Sequence, residues 1–372
     1  MSQLRVAVIG AGNLGRIHTR LLAENSNVQL VAVADPNPVA LKAIEEQFNV
    51  VTVDDFQSLI GQIDAAVVAT PTRFHHQVAS SLLENGIHTL IEKPITDCIS
   101  DAEDLVHIAR RTKSVVQVGH VEQFNPTFKE ALSKIGQPKF VQASRMSGYT
   151  FRSTDIGVVY DLMIHDIDLV NSMMPGSLME TRAIGMSMFG QNEDMAQARL
   201  QFDCGAVANL TASRCSFSPE RSMQIFGTHG FAQIDFTQSK VTLIEVPSWI
   251  RNRELDFFHL TLEQQAFVRE SLFENVLKKR EIEVPRSNAI LDEHQDWILA
   301  IKEGCDPKVS VEQGAAALEI AKSVLDSLNT HRWERNNLAT TGPLAKLPWD
   351  EAGDAIPAEL SPDQILTIRK AA

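Results

Sequence analysis

Cysteine is scarce in this chain: four in 372 residues, at Cys98, Cys204, Cys215 and Cys305. None belongs to a C-x-x-C pair, which argues against a disulfide framework and for reduced thiols in a cytoplasmic protein. No histidine cluster has metal-ligand spacing, so no bound metal is expected. Basic residues are also in deficit, 34 Lys and Arg against 47 Asp and Glu, for a net charge of −13. A nucleic acid or a membrane surface needs a basic face, and this balance excludes both as partners. An anionic small molecule needs only a local basic pocket and stays open. No apolar stretch approaches the roughly 20 residues of a membrane helix. The first apolar run begins within a few residues of Met1, which leaves no room for a signal peptide. Internal repeats, heptads and low-complexity tracts are absent as well.

The rest of the composition is that of an ordinary globular protein, 44% apolar and 22% charged. Its length exceeds one compact core and predicts two domains. The first third alternates apolar runs (4–9, 29–34, 65–69, 89–92, 115–118) with amphipathic helical stretches such as 38–48 and 74–85. That alternation implies a parallel sheet covered on both faces. After about Gly119 the pattern changes to β-prone segments at 139–146, 181–189, 195–202, 206–213, 221–227, 231–236 and 241–246. Consecutive strands of this kind predict a large, mostly antiparallel open sheet in an α+β domain. A helix near 160–174 interrupts them early, and helices near 287–303 and 311–329 follow to cover a sheet face or the first domain. The stretch 249–281 looks helical around 262–278 and reads as an insertion. The expected division is 1–122, 123–330 and a poorly packed tail at 331–372.

Six residues after the first apolar run carry a pattern with a physical reason at each glycine. Gly10 permits a tight turn, Gly12 lets the backbone approach a pyrophosphate, and Gly15 lets the following helix pack on its strand. Ala11, Asn13 and Leu14 complete the turn, whose helix N-terminus points unpaired N–H groups at the phosphates. Asp35, twenty residues past Gly15, closes the next apolar run. A carboxylate there accepts from an adenosine ribose and repels a 2′-phosphate, so NAD(H) is favoured over NADP(H).

Three further clusters have the residue types for chemistry. Thr70, Pro71, Thr72 and His75 follow the third apolar run, where a doubly wound sheet binds its ligand. Glu92, Lys93 and Pro94 end the next one. A lysine there is badly placed for core packing and well placed for a nicotinamide edge, and burial lowers its pKa toward a useful range. In the third cluster Asp161 and His165, four apart, share a face if the segment is α-helical. A carboxylate beside an imidazole fixes its tautomer and suits it to take a proton from an alcohol. His165 with Asp168 is the competing pair, and a plain amphipathic helix carrying Leu162, Ile164, Ile167 and Leu169 is the competing reading.

Taken in order, the glycine turn, Glu92-Lys93-Pro94, and Asp161 with His165 resemble the Gfo/Idh/MocA oxidoreductase family over about residues 4 to 330. Gly227-Thr228-His229-Gly230 looks like that family's glycine turn between two late strands. The resemblance implies an N-terminal Rossmann domain, a second domain built on an open antiparallel sheet, and an active site between them. It also implies NAD as cofactor, Lys93 at the reacting hydroxyl, and His165, supported by Asp161, as the acid/base partner. Either Lys93 or His165 removes the proton, or the two titrate as one unit. Residues 119–126 and 152–166 are most similar to the UDP-N-acetylglucosamine 3-dehydrogenase group, which oxidises a sugar 3-hydroxyl toward a 2,3-diamino sugar of lipid A. That likeness places His120, Gln123, Phe124 and Asn125 near the substrate, and Arg145 and Arg152 are the expected cations for its phosphates. Gln123 stands where arginine is more usual in the group. The readings that compete are a dehydrogenase of a free sugar, inositol or sugar phosphate, and an NAD-sensing regulator without turnover. A sensor needs none of Lys93, Asp161 and His165. Self-association into a dimer or tetramer is expected from an exposed sheet face.

Overall fold

A computed structural model describes residues 3–150, 156–189 and 192–331. The first sheet contains β1 (Leu4–Ile9), β2 (Val28–Ala34), β3 (Thr52–Val53), β4 (Ala65–Val68), β5 (His88–Glu92) and β6 (Val116–Gly119). All pairs are parallel, in the order β3-β2-β1-β4-β5-β6. This is the doubly wound dinucleotide-binding order, with the strand order reversing beside β1. Helices α1 (Asn13–Ala23), α2 (Pro38–Phe48), α3 (His75–Glu84) and α4 (Ile99–Thr112) form the crossovers. Strands β1 and β4 are buried on both faces, which explains their unbroken apolar runs.

Helix α5 (Pro126–Ile135) leads into the second sheet of β7 (Pro138–Met146), β8 (Leu178–Met186), β9 (Met195–Phe202), β10 (Val207–Ser213), β11 (Glu220–Gly227), β12 (Gly230–Asp235), β13 (Lys240–Glu245) and β14 (Lys278–Glu283). Their order is β14-β13-β12-β11-β7-β10-β9-β8. Among the described residues of this sheet, only β7 and β10 pair in parallel. Helix α6 (Ile164–Met173) joins α5 on the inner face, over alternate residues such as Ala143, Leu210, Ile225 and Ile234. The outer face is half exposed and carries a ladder of Phe140, Phe226 and Phe231, with ring centroids 5.8 and 4.5 Å apart.

Two differences from the sequence reading have clear causes. The stretch 249–281, expected to be helical over 262–278, instead holds short helices α7 (Ser248–Arg251) and α8 (Leu262–Glu270), a single wide turn at Leu272–Val276, and the start of the edge strand β14. β14 reads Lys-Lys-Arg-Glu-Ile-Glu, so it lacks the apolar alternation that marks a strand; charge on an edge blocks unwanted pairing. The C-terminal helices α9 (Ala289–Glu303) and α10 (Val311–Thr330) return to the first domain. Trp297 and Ile298 of α9 enter the core against Val6, Val8 and Leu90, while α10 packs on α4, α6 and β8 and so ties the two domains together. Among the described residues no helix is long and apolar enough to cross a membrane. The expected tail, apart from His331, lies outside the described residues.

Candidate active site

The glycine turn has the geometry its sequence requires. Gly10 has φ +107°, and a Cβ there would fall 2.5 Å from the Ala69 carbonyl oxygen. A Cβ on Gly15 would lie 1.9 Å from the Gly10 oxygen, so α1 could not approach. Gly12 faces open space instead, as a ligand-facing glycine should. Asp35 accepts from the N–H of Ala11 at 2.7 Å and of Asn37 at 2.8 Å, which fixes the turn against the end of β2. Beside it is a cavity of about 640 Å³ lined by Gly10, Asp35, Asp54, Pro71, Arg73 and Phe74. The Thr70 hydroxyl is buried there without a partner among the described residues. An open cradle at Gly12, a ribose-type carboxylate and an orphaned hydroxyl fit a dinucleotide. His75 is not exposed to that cavity: its ring spans the Thr70 and Pro94 carbonyls at 2.8 and 2.9 Å and joins the two loops.

Lys93 follows β5 and reaches across to the second domain. Its Nζ donates to the Asp161 carbonyl at 2.7 Å and lies 3.5 Å from Asp161 Oδ1, with only 15% of the side chain exposed. Burial pushes the ammonium below its ordinary pKa, opposed by the charges of Asp161 and Glu92. Glu92 is held in turn by His18, whose Nε2 is 2.7 Å from its carboxylate, and His18 Nδ1 is 2.7 Å from Nε2 of His294. A buried chain therefore runs from the lysine loop through α1 to α9. Burial and His18 push His294 down to about 3, so it is neutral.

The third cluster differs from the sequence expectation. Asp161 lies in a π-helical turn, Val159–Met163, and α6 begins only at Ile164. A π turn takes up more residues than an α turn, so residues four apart no longer stack. Asp161 consequently turns toward Lys93, and no hydrogen bond joins it to His165. Asp168 is also taken, by Gln123 Nε2 at 2.8 Å. His165 is left with Nδ1 buried and without a partner among the described residues. Burial, then the charges of Lys93 and Arg145, hold it well below the ordinary histidine pKa, so it is a neutral imidazole. Glu193 anchors the turn by accepting from the Val159 N–H at 3.1 Å, and a Cβ on Gly157 would meet that carboxylate at 2.0 Å.

The residues expected at the substrate sort into two groups. His120 is 1% exposed with neither ring nitrogen partnered among the described residues, and burial lowers its pKa despite Asp168 nearby. Arg145, by contrast, is not open to a phosphate in the way expected. It is 3% exposed and clamped between Asp166 at 2.8 Å and Glu122 at 3.0 Å, which spend its charge internally. Gln123 is spent on Asp168, Phe124 is core, and Asn125 caps α5 through the N–H of Thr127. Arg152 lies outside the described residues. Sequence reading missed His18, Glu122, Asp166 and His294. His18 had a signal, since it sits one helical turn beyond Gly15 and so beneath the cofactor turn.

A dinucleotide cleft on one domain, facing a buried lysine and a neutral imidazole at the junction with the next, is the layout of a nicotinamide-dependent dehydrogenase. The family models agree. Residues 4–120 match the description "Oxidoreductase family, NAD-binding Rossmann fold", and 129–334 match the same family's C-terminal alpha/beta domain. The chain belongs to the Gfo/Idh/MocA oxidoreductase family; it is an NAD-dependent oxidoreductase acting on a hydroxyl group. It is 34% identical over 237 residues to a UDP-N-acetylglucosamine 3-dehydrogenase of Acidithiobacillus ferrooxidans, covering 63% of this chain and 75% of that one. The solved structure of the enzyme from that organism superposes with a TM-score of 0.76 at 27% identity, over 88% of this chain and 98% of the other. An inositol 2-dehydrogenase of Rhizobium meliloti is 24% identical over 88% of this chain and 98% of its own length. A levoglucosan dehydrogenase bound to NADH and levoglucosan shares the fold at 17% identity, with TM-score 0.72 and coverage of 88% and 97%.

Proposed function

We propose that this enzyme oxidises the 3-hydroxyl of a nucleotide-activated N-acetylglucosamine, with UDP-N-acetylglucosamine as substrate. The observation that carries the chemistry is the Lys93–Asp161 contact beside His165. Lys93, kept charged by Asp161 and Glu92, donates a hydrogen bond to the reacting oxygen and stabilises negative charge as it develops there. His165, held neutral, accepts the hydroxyl proton. Asp161 fixes the lysine rather than the histidine. Gly10, Ala11, Gly12, Asn13, Leu14 and Gly15 would hold the pyrophosphate of NAD, Asp35 its ribose, and Thr70, Pro71 and Thr72 the adjoining edge. Bound NAD supplies the hydride acceptor for the carbon that bears the hydroxyl. The substrate assignment is supported by the likeness to the Acidithiobacillus ferrooxidans enzyme.

The test is a panel. Purified protein with NAD is given UDP-N-acetylglucosamine, free N-acetylglucosamine or myo-inositol, and NADH absorbance is followed. The expected result is turnover with the UDP-sugar and little with the others; efficient oxidation of inositol with none of the UDP-sugar contradicts the assignment. The half-exposed phenylalanine ladder on the second sheet further supports self-association of this chain, for which a strictly monomeric mass by light scattering is the contrary result.

A further inference from the structure

With Arg145 committed to Glu122 and Asp166, an anionic substrate needs another cation. A cavity of about 540 Å³ opens where α5, β11 and α9 meet, lined among others by Asn125, Pro126, Arg221, Arg286, Ser287 and Ala289. Pro126 and Ala289 are the first residues of α5 and α9, so the positive ends of two helix dipoles border the same space. Arg221 pairs in register with Arg145 across β11 and β7, both on the inner face of the sheet. Two like charges directly opposed disfavour the pairing. Arg145 is neutralised by its two carboxylates, whereas the Arg221 guanidinium has no hydrogen bond or ion pair among the described residues. Arg286 spends one N–H on the Thr237 carbonyl at 3.2 Å and keeps the rest of its fork. The cavity is joined to the reaction site through the sheet, because Arg221 lies opposite Arg145, whose partner Asp166 directly follows His165.

We propose that this cavity is the subsite for the pyrophosphate of a nucleoside diphosphate sugar, with Arg221 and Arg286 as its guanidinium ligands. In a chain of net charge −13, an uncommitted arginine opposite the clamped Arg145, sharing a cavity with two helix N-termini, has the chemistry of a phosphate cradle. The inference rests on the nucleotide-sugar reading above and adds the place where the diphosphate binds.

The experiment uses the full-length enzyme loaded with NADH and titrates UDP by calorimetry, alongside steady-state kinetics with NAD and UDP-N-acetylglucosamine. Arg221→Gln and Arg286→Gln are compared with Arg280→Gln, a surface arginine paired with Glu245 on the far edge of the sheet. Each cavity variant is expected to weaken UDP binding and raise KM roughly 10- to 100-fold, the scale of losing charge-assisted hydrogen bonds. Their kcat is expected to change less, and NADH affinity and melting temperature to stay near those of the parent, as with the control. UDP binding in the parent that is unaffected by both substitutions overturns the subsite and leaves the substrate assignment intact. UDP binding lost in the variants, with no turnover of the UDP-sugar, keeps the subsite and overturns the sugar. No UDP binding to the parent overturns both.

Discussion

In the proposed chemistry Lys93 is the residue on which most steps converge, and its neighbours make its behaviour predictable. Lys93→Met or His165→Asn is expected to lower kcat by roughly two to four orders of magnitude, the range for loss of a general acid or base. NAD affinity is expected to be nearly unchanged, since neither side chain borders the glycine turn; near-normal turnover in both variants contradicts the roles. Asp161 raises the lysine pKa against burial. Asp161→Asn removes that opposing charge, so the lysine loses its proton at a lower pH. The alkaline limb of kcat/KM is expected to shift to lower pH, with the acid limb, set by His165, little moved. An acid limb that shifts instead would restore the Asp161–His165 partnership that spacing alone suggested. The enzyme class was legible in the sequence, where the residue types and their order pointed to a dehydrogenase, and the proposed roles rest on the same residues. The partners were not legible. Glu122 and Asp166 reach Arg145 from 23 and 21 positions away, and nothing local to Arg145 announces that its charge is already spent.

At the scale of elements, the π-helical turn at Val159–Met163 decides which group Asp161 serves. Strand bounds were readable where the apolar pattern is strong, as at Leu4–Ile9 and Met195–Phe202. The turn was not, because a π turn and an α turn carry the same apolar periodicity over so few residues. Its support comes from outside, through Glu193 accepting the Val159 N–H and filling the space over Gly157. Gly157→Ala places a methyl group 2.0 Å from that buried carboxylate. Overpacking of this kind costs about 1–3 kcal/mol. The variant is expected to melt at a lower temperature and to lose kcat, since displacing Glu193 releases the turn that holds Asp161 against Lys93. A fully active variant of unchanged stability contradicts this support.

Across the whole molecule, α9 and α10 bring the end of the described chain back onto the first domain, and the Glu92–His18–His294 chain crosses that junction. His294 has a folded pKa of about 3 against an ordinary value near 6.5. Between those values the unfolded chain binds a proton that the folded one does not, so stability falls as pH drops through this window. His294→Gln removes that proton from the balance. Its unfolding free energy, from urea titrations at a series of pH values, is expected to fall less steeply by about 1.4 kcal/mol per pH unit between pH ~6 and ~4. Parallel curves for variant and parent contradict a neutral buried His294.

The proposed reaction requires that hydride leave carbon 3 of a nucleotide-linked sugar. UDP-N-acetylglucosamine deuterated only at carbon 3 is mixed with NAD and stoichiometric enzyme, and the nicotinamide is analysed by mass spectrometry. The account predicts reduced cofactor that carries the deuterium. Reduced cofactor without label, or none formed at all, contradicts it.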